Sequence, residues 1–396
     1  MDTMEVKFSH IQQQFAYTAS HHNPARTHLD LDVEKILGDI RILVSTGEFT
    51  LGTKVEQFEQ EFAKLCGTKY AVGVNSGTDA LILTLKSLNI GKGDYVITVP
   101  NTFIATVAAI VHVGATPVFV DVDNSYGMDL TKVSESILRD TRAIIPVHLE
   151  GNPVDMVHLM RIAKLYGLYV IEDSAQAIGA SVDGQSVGSF GHAGAFSLQP
   201  LSNPGLWGDG GMITTSSEDI YNKVKLLRNH GLRNRDEVEI FGFNSRLDAL
   251  QAVVGLNLLP HLENITSARI SNANFYDQTL SDLSPDFVTI PPRHLNIKQF
   301  YNTYIIQVER RGELLNYLKE KGIEAKSYRP IPIHLQPSYK DLLQSTQVLE
   351  DIYYKTIKFP VAERQAQRTI ALPVHQHISE TQLEYVTDVI HNFYLK

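Results

Sequence analysis

Cysteine is nearly absent from this chain of 396 residues: Cys66 is the single copy. No disulfide can close within the chain, and neither a cysteine-rich metal site nor an iron–sulfur cluster can be built from it. Long apolar runs are missing too: none approaches the ~18 residues needed to span a bilayer. Residues 1–25 are polar and rich in His and Gln, with no apolar signal-peptide core. An excess of positive charge is also lacking. Lys and Arg number 35 against 44 Asp and Glu, a net charge of -9, which argues against unaided nucleic-acid binding. The expectation is a cytoplasmic protein that binds neither nucleic acid nor membrane and has no metal site. Anionic ligands stay possible, because backbone N–H groups hold phosphate whatever the net charge.

What the chain does have is ordinary globular material: 43% hydrophobic and 20% charged residues, enough for a large core. Its length suggests more than one domain, on a prior of ~100–200 residues each. Apolar runs at 70–74, 95–99, 117–120, 143–148, 168–171, 193–198 and 211–215 read as strands. Helical patterns stand among them at 79–88, 104–113 and 154–166, after two more at 31–45 and 55–65. Strands alternating with helices define an α/β domain with a mostly parallel sheet. After Gln251 one long helix is expected to about 274, and mixed α+β sequence follows. The expected organisation is an arm at 1–30, a large domain at 31–260 and a smaller α+β domain at 261–396.

Chemistry is concentrated where strands meet helices. Asn75-Ser76-Gly77-Thr78-Asp79 leads from a strand into a helix, where free N–H groups and the helix dipole suit a phosphate. Plain helix capping by Ser76, Thr78 or Asp79 explains the same residues. Glu172-Asp173-Ser174-Ala175-Gln176 follows a strand, and a carboxylate at that end of a parallel sheet sits where ligands bind. It too has a capping alternative. Phe103 could stack on a flat ring, or belong to the core. Ser197 could hold phosphate, whereas Gly210-Gly211 reads as a structural turn. Phe241-Gly242-Phe243-Asn244-Ser245-Arg246 suits phosphate, a subunit contact or a solvated turn.

The order of these segments, with Arg228-Asn229-His230-Gly231, His334-Leu335-Gln336-Pro337 and Leu372-Pro373-Val374, resembles the DegT/DnrJ/StrS family of sugar aminotransferases. The resemblance runs from about Gly47 to Val389. It implies an aspartate-aminotransferase-like large domain with a seven-stranded type of sheet, a small C-terminal domain and a homodimer. It implies pyridoxal phosphate (PLP) or pyridoxamine phosphate (PMP) as cofactor, and a sugar or nucleotide-linked sugar as ligand. Gly77, Thr78 and Ser197 match phosphate-binding positions, and Phe103 matches the ring-stacking position. Asp173 matches the partner of the pyridine nitrogen and Gln176 its neighbour. Asn244 matches a residue lent to the phosphate by the other subunit.

Departures from the family pattern cluster on the reacting side. Ser202 stands where relatives carry the lysine that links the cofactor, Gln199 replaces a histidine, and Asn302 replaces another. Tyr328-Arg329 replaces a common His-Tyr pair, so Gln199, Asn302, Tyr328 and Arg329 are expected on the sugar side. A serine hydroxyl forms no imine and is a poor base, so proton-transfer catalysis worth ~10²–10⁴-fold is lost. The reading is therefore a protein of amino- or deoxysugar biosynthesis that binds PLP or PMP noncovalently. Three alternatives stand beside it: an inactive subunit that binds ligand, regulates or pairs with an active relative; a lysine-independent, PMP-dependent sugar dehydratase; and an engineered Lys-to-Ser trap.

Overall fold

Short apolar strands and helices alternate through the first half of the chain. The computed structural model describes residues 31–200, 205–345 and 358–395, so the expected arm at 1–30 lies outside them. Helices α1 (Val33–Thr46) and α2 (Thr53–Cys66) lead into β1 (Tyr70–Val74), α3 (Gly77–Ser87), β2 (Tyr95–Thr98), α4 (Ile104–His112) and β3 (Thr116–Phe119). The single turn α5 (Leu130–Val133) precedes β4 (Thr141–Ile144), α6 (Met156–Tyr166) and β5 (Tyr169–Asp173). Next come a small hairpin, β6 (Ser181–Val182) and β7 (Gln185–Ser186), then β8 (Ala193–Ser197), β9 (Gly211–Thr215) and α7 (Glu218–Arg228).

The central sheet has seven strands in the order β1-β9-β8-β5-β4-β2-β3. The β2/β3, β2/β4, β4/β5 and β5/β8 pairs are parallel, while β9 runs antiparallel to both of its neighbours. Successive side chains go to opposite faces, as strand geometry requires. Val96, Ala143 and Ile171 join α3, α4 and α7 in one core, and Ile97, Ile144 and Val170 join α6 in another. All six are fully buried, the condition of a parallel sheet covered on both faces. Burial of each Val or Ile among them contributes roughly 1.5–3 kcal/mol.

Two expected elements differ, and proline explains both. The strand expected at 143–148 is β4 at Thr141–Ile144, because Pro146 has no N–H to continue the ladder. The long helix expected from 251 is two helices, α8 (Ala249–Leu258) and α9 (Leu262–Thr279), parted by a 3₁₀ turn at Leu259–His261 that contains Pro260. Pro117 sits within β3 without harm because β3 is an edge strand.

Beyond α9 come β10 (Val288–Thr289), β11 (Ile297–Lys298), β12 (Tyr304–Val308), α10 (Arg311–Glu320), β13 (Lys326–Ser327) and α11 (Pro337–Ser345). The last elements are α12 (Pro360–Arg368), β14 (Thr369–Leu372) and α13 (Glu380–Leu395). Strands β10-β12-β14-β13 make an antiparallel sheet, and β11 pairs back onto β6 of the earlier hairpin. Tyr276, Tyr304, Leu314 and Val386 are buried together beside this second sheet. Among the described residues no helix is long and apolar enough to cross a membrane.

Candidate active site

β1 delivers the chain to the start of α3. Ser76 caps that helix: its Oγ accepts the Asp79 amide at 3.1 Å, and its carbonyl accepts the Ala80 amide at 3.0 Å. The amides of Gly77 and Thr78 come too early in the helix to have an intrahelical acceptor, so they face outward at the positive end of the dipole. Gly77 is needed for close approach, since a Cβ there would stand 2.8 Å from the Ser197 Cβ at the end of β8. Gly211 is needed for the same reason: its Cβ would lie 2.2 Å from the Ser76 carbonyl oxygen. Glycine thus lets β8, β9 and the start of α3 close against one another.

Asp173 ends β5 and is buried. Its Oδ2 accepts the Thr106 hydroxyl at 2.7 Å and its Oδ1 accepts the Ala175 amide at 3.2 Å. Burial raises the pKa of its carboxyl, opposed by those two hydrogen bonds and by the charge of Arg329. Neighbouring Glu172 points to the other face and is fully engaged. It accepts the amides of Gly188, Phe190 and Gly191 at 2.7, 2.8 and 2.7 Å, and His148 Nε2 at 3.1 Å. The Val154 amide donates to His148 Nδ1 at 3.1 Å, so the ring proton is on Nε2 and is given to Glu172. Glu172 and His148 therefore fix the loop geometry behind Asp173.

Gly77, Thr78, Phe103, Thr106, Asp173, Gln176, Ser197, Gln199 and Arg329 line a single cavity of about 480 Å³, within the usual range for small-molecule sites. Phe103 is 62% exposed at its mouth. Asn302 and Tyr328 do not line it. They turn to Glu150, which accepts Asn302 Nδ2 at 3.3 Å and the Tyr328 hydroxyl. Asn244 is exposed on a turn outside this cavity, tied to the site's edge by the neighbouring Ser245 hydroxyl, which donates to Asn75 Oδ1 at 3.3 Å. Ser202 lies outside the described residues.

Sequence reasoning passed over Thr106, Glu150 and Arg269. Glu150 is buried with φ 52°, and its amide donates to Gln176 Oε1 at 3.1 Å. The buried guanidinium of Arg269, on α9, donates to the carbonyls of Tyr301 and Asn302 at 2.9 and 3.2 Å. It thereby holds the segment that carries Asn302 against Glu150. The one signal for Glu150 was a charged residue between an apolar strand and Pro153; Thr106 and Arg269 lie within helical patterns that gave none.

The mostly parallel seven-stranded sheet, with a helix start and a buried carboxylate facing one cavity at its rim, is an α/β aminotransferase fold. The solved structure of DesV from S. venezuelae in complex with a ketimine intermediate has this fold: it superposes with a TM-score of 0.88 at 35% identity, covering 95% of this chain and 98% of that one. The chain belongs to the DegT/DnrJ/EryC1/StrS aminotransferase family, whose pattern matches residues 31–391. A UDP-N-acetyl-3-dehydro-alpha-D-glucosamine 3-aminotransferase of Acidithiobacillus ferrooxidans is 39% identical over 372 residues, 94% of this chain and 95% of its own. A pleiotropic regulatory protein of Geobacillus stearothermophilus is 36% identical over 364 residues, 92% and 94% of the two chains. The family is PLP-dependent and serves sugar and deoxysugar biosynthesis.

Proposed function

We propose that this chain binds PLP or PMP noncovalently in the cavity at Asp173, together with a sugar or nucleotide-linked sugar, as a cytoplasmic protein of amino- or deoxysugar biosynthesis. Residues 31–260 form the cofactor-binding unit and residues 261–396 the smaller one. One observation carries the reading. A buried carboxylate whose ionised form is disfavoured lines the same cavity as the unused amides of a helix start. That pair fits a ligand with a cationic ring nitrogen and a phosphate.

Each residue then has a task. Asp173 holds the proton on the ring nitrogen, and Thr106 and Ala175 hold Asp173. Phe103 covers the ring face, and Gln176 lies beside the ring hydroxyl. Gly77, Thr78 and Ser197 receive the phosphate, with Asn244 supplied by a second copy of the chain. When bound, the protonated ring supplies an electron sink that lowers the barrier to moving a proton next to the amino group. Ser202, where the resemblance places the family's lysine, offers neither an imine nor a strong base, so ordinary transamination is expected to be very slow.

The test is to titrate dialysed protein with PLP and with PMP, reading absorbance and affinity. Binding without a borohydride-reducible adduct is expected. Asp173→Asn should weaken it about tenfold or more, because a charge-assisted hydrogen bond is lost, and Ser202→Lys should create a reducible adduct. No binding at millimolar cofactor sinks the reading, and unchanged affinity in Asp173→Asn sinks the placement. A catalytically silent, ligand-binding member is the second reading. Serine at 202 favours it, as does the regulatory name of the Geobacillus relative. That reading predicts cofactor or sugar binding with no turnover.

A further inference from the structure

The segment that carries Phe103 brings two more side chains to the cavity wall, and both end in hydroxyls: Thr102 and Thr106. Both residues are buried. Their segment is pinned from two directions. The Asn101 side-chain amide donates to the Tyr126 carbonyl at 3.1 Å, and the Pro100 carbonyl accepts the Ile333 amide at 2.8 Å. Phe103 then caps α4, and its carbonyl accepts the Thr106 amide at 3.2 Å. So placed, the two hydroxyl oxygens stand 2.6 Å apart, and Thr106 Oγ1 stands 2.7 Å from Asp173 Oδ2.

A hydroxyl has one proton to give, whereas an ionised carboxylate only accepts. Thr106 therefore gives its proton to Asp173. Its oxygen is left as an acceptor, and Thr102 supplies the proton that fills it. Neither hydroxyl has another hydrogen-bond partner among the described residues. Both protons thus point towards the carboxylate, and each bond polarises the next. Such a chain favours the charged form of Asp173 and opposes burial, which favours the neutral one. The other ionisable groups nearby do not depend on it. Arg329 acts on Asp173 from the smaller unit. His148 gives its Nε2 proton to Glu172 and accepts the Val154 amide at Nδ1, so its ring is neutral. Glu172 is turned to the other face, towards the Gly188 amide, and Asp209 is exposed at the cavity wall.

We infer that Thr102 and Thr106 are positioning residues, whose hydroxyls act in series to hold Asp173 as an ionised acceptor for the cationic ring nitrogen of the cofactor. The same short segment supplies Phe103 to the ring face. A ring seated on that phenylalanine therefore meets a carboxylate oriented by the residues on either side of it. The inference rests on the cofactor reading of this cavity and adds the residues that keep Asp173 charged.

The test reads Asp173 directly. The full chain, with isotope-labelled aspartate carboxyls, is titrated by NMR without cofactor, and Asp173→Asn identifies the signal. Thr106→Val keeps the shape and removes the hydroxyl, so the Asp173 midpoint should move to higher pH. Thr102→Val leaves the direct bond in place and should move it the same way by less. Thr106→Ser keeps the hydroxyl and should stay near the native midpoint. Calorimetry with PMP at neutral pH reads the consequence. Affinity should fall roughly ten- to a hundredfold in Thr106→Val and roughly two- to fivefold in Thr102→Val. A role in packing alone would lower stability and leave the midpoint unmoved, and that result in both variants overturns the inference. A native midpoint in Thr102→Val alone overturns the series and leaves only the direct bond. Should Thr106→Val not fold, Thr102→Val decides: an upward midpoint supports the chain of hydroxyls and a native one overturns it. Midpoints that shift as expected in a protein that binds no PMP refute the cofactor reading alone. PMP binding with unmoved midpoints refutes this inference alone.

Discussion

Asp173 sets how the site should respond to acid. Burial raises its pKa above the usual carboxylate range, so folding favours the protonated form. Its contribution to stability is present at pH values below the ordinary carboxylate pKa and is lost as pH rises through the folded value. A cationic ring nitrogen in the cavity reverses this preference, because it stabilises the carboxylate. Cofactor affinity should therefore fall on acidification, beginning at a pH above the ordinary carboxylate range, where the free site takes up a proton. Titrations of PMP over acid to neutral pH check this. Asp173→Asn is the control, since the cofactor's own phosphate also titrates. A slope that survives unchanged in Asp173→Asn assigns the effect to the cofactor instead. Arg329 adds to the argument from the other side, since its positive charge pulls the Asp173 pKa down.

At the scale of elements, β1, which leads into the cavity-lining start of α3, depends on a buried anchor between α2, β1 and α7. Arg228 at the end of α7 pairs with Glu59 on α2 and donates to the Gly73 carbonyl at 2.8 Å, while the Gly73 amide donates to Glu59 Oε1 at 2.8 Å. Removing the carboxylate strands a buried guanidinium, so Glu59→Ala should cost about 3–5 kcal/mol, read as a lower denaturant midpoint. A loss below about 1 kcal/mol would place the pair with weak surface bridges. The strands around this anchor were legible in the sequence because each is a short apolar run buried on both faces. The segment 75–79 was legible because a serine cap and a glycine mark a helix start. The pairing of Arg228 with Glu59 was not, since it joins residues 169 apart in the chain. Nor was the place of Asn302 and Tyr328. The resemblance puts them on the sugar side, and what it did not reveal is that Glu150, in a left-handed turn, accepts from both. A carboxylate's partners depend on which loops the fold stacks, and no local pattern encodes that.

The whole molecule presents apolar surface that a lone chain has no use for. Phe241 is 98% exposed, and Phe49, Phe243 and Leu250, with Val33, Leu37, Ile42 and Val44 on α1, are also exposed. A surface of this kind marks an interaction site, and Asn244 directly follows Phe243 in the chain. A closed twofold dimer that covers it would bring Asn244 of each copy to the other's cavity, as the resemblance implies. Light scattering should then report two chains per particle. A sharper consequence follows for mixtures. Asp173→Asn and Asn244→Ala chains should each bind cofactor poorly alone. In a mixed dimer one cavity carries both defects, and the other combines the Asp173 of one chain with the Asn244 of its partner. Unfolding and refolding the two variants together in equal amounts should restore native affinity to about a quarter of the cavities, since half of randomly paired dimers are mixed. Calorimetry of the mixture reads that fraction directly. Recovery of no high-affinity sites, from a mixture shown to contain mixed dimers, would place Asn244 in service of its own chain or of neither.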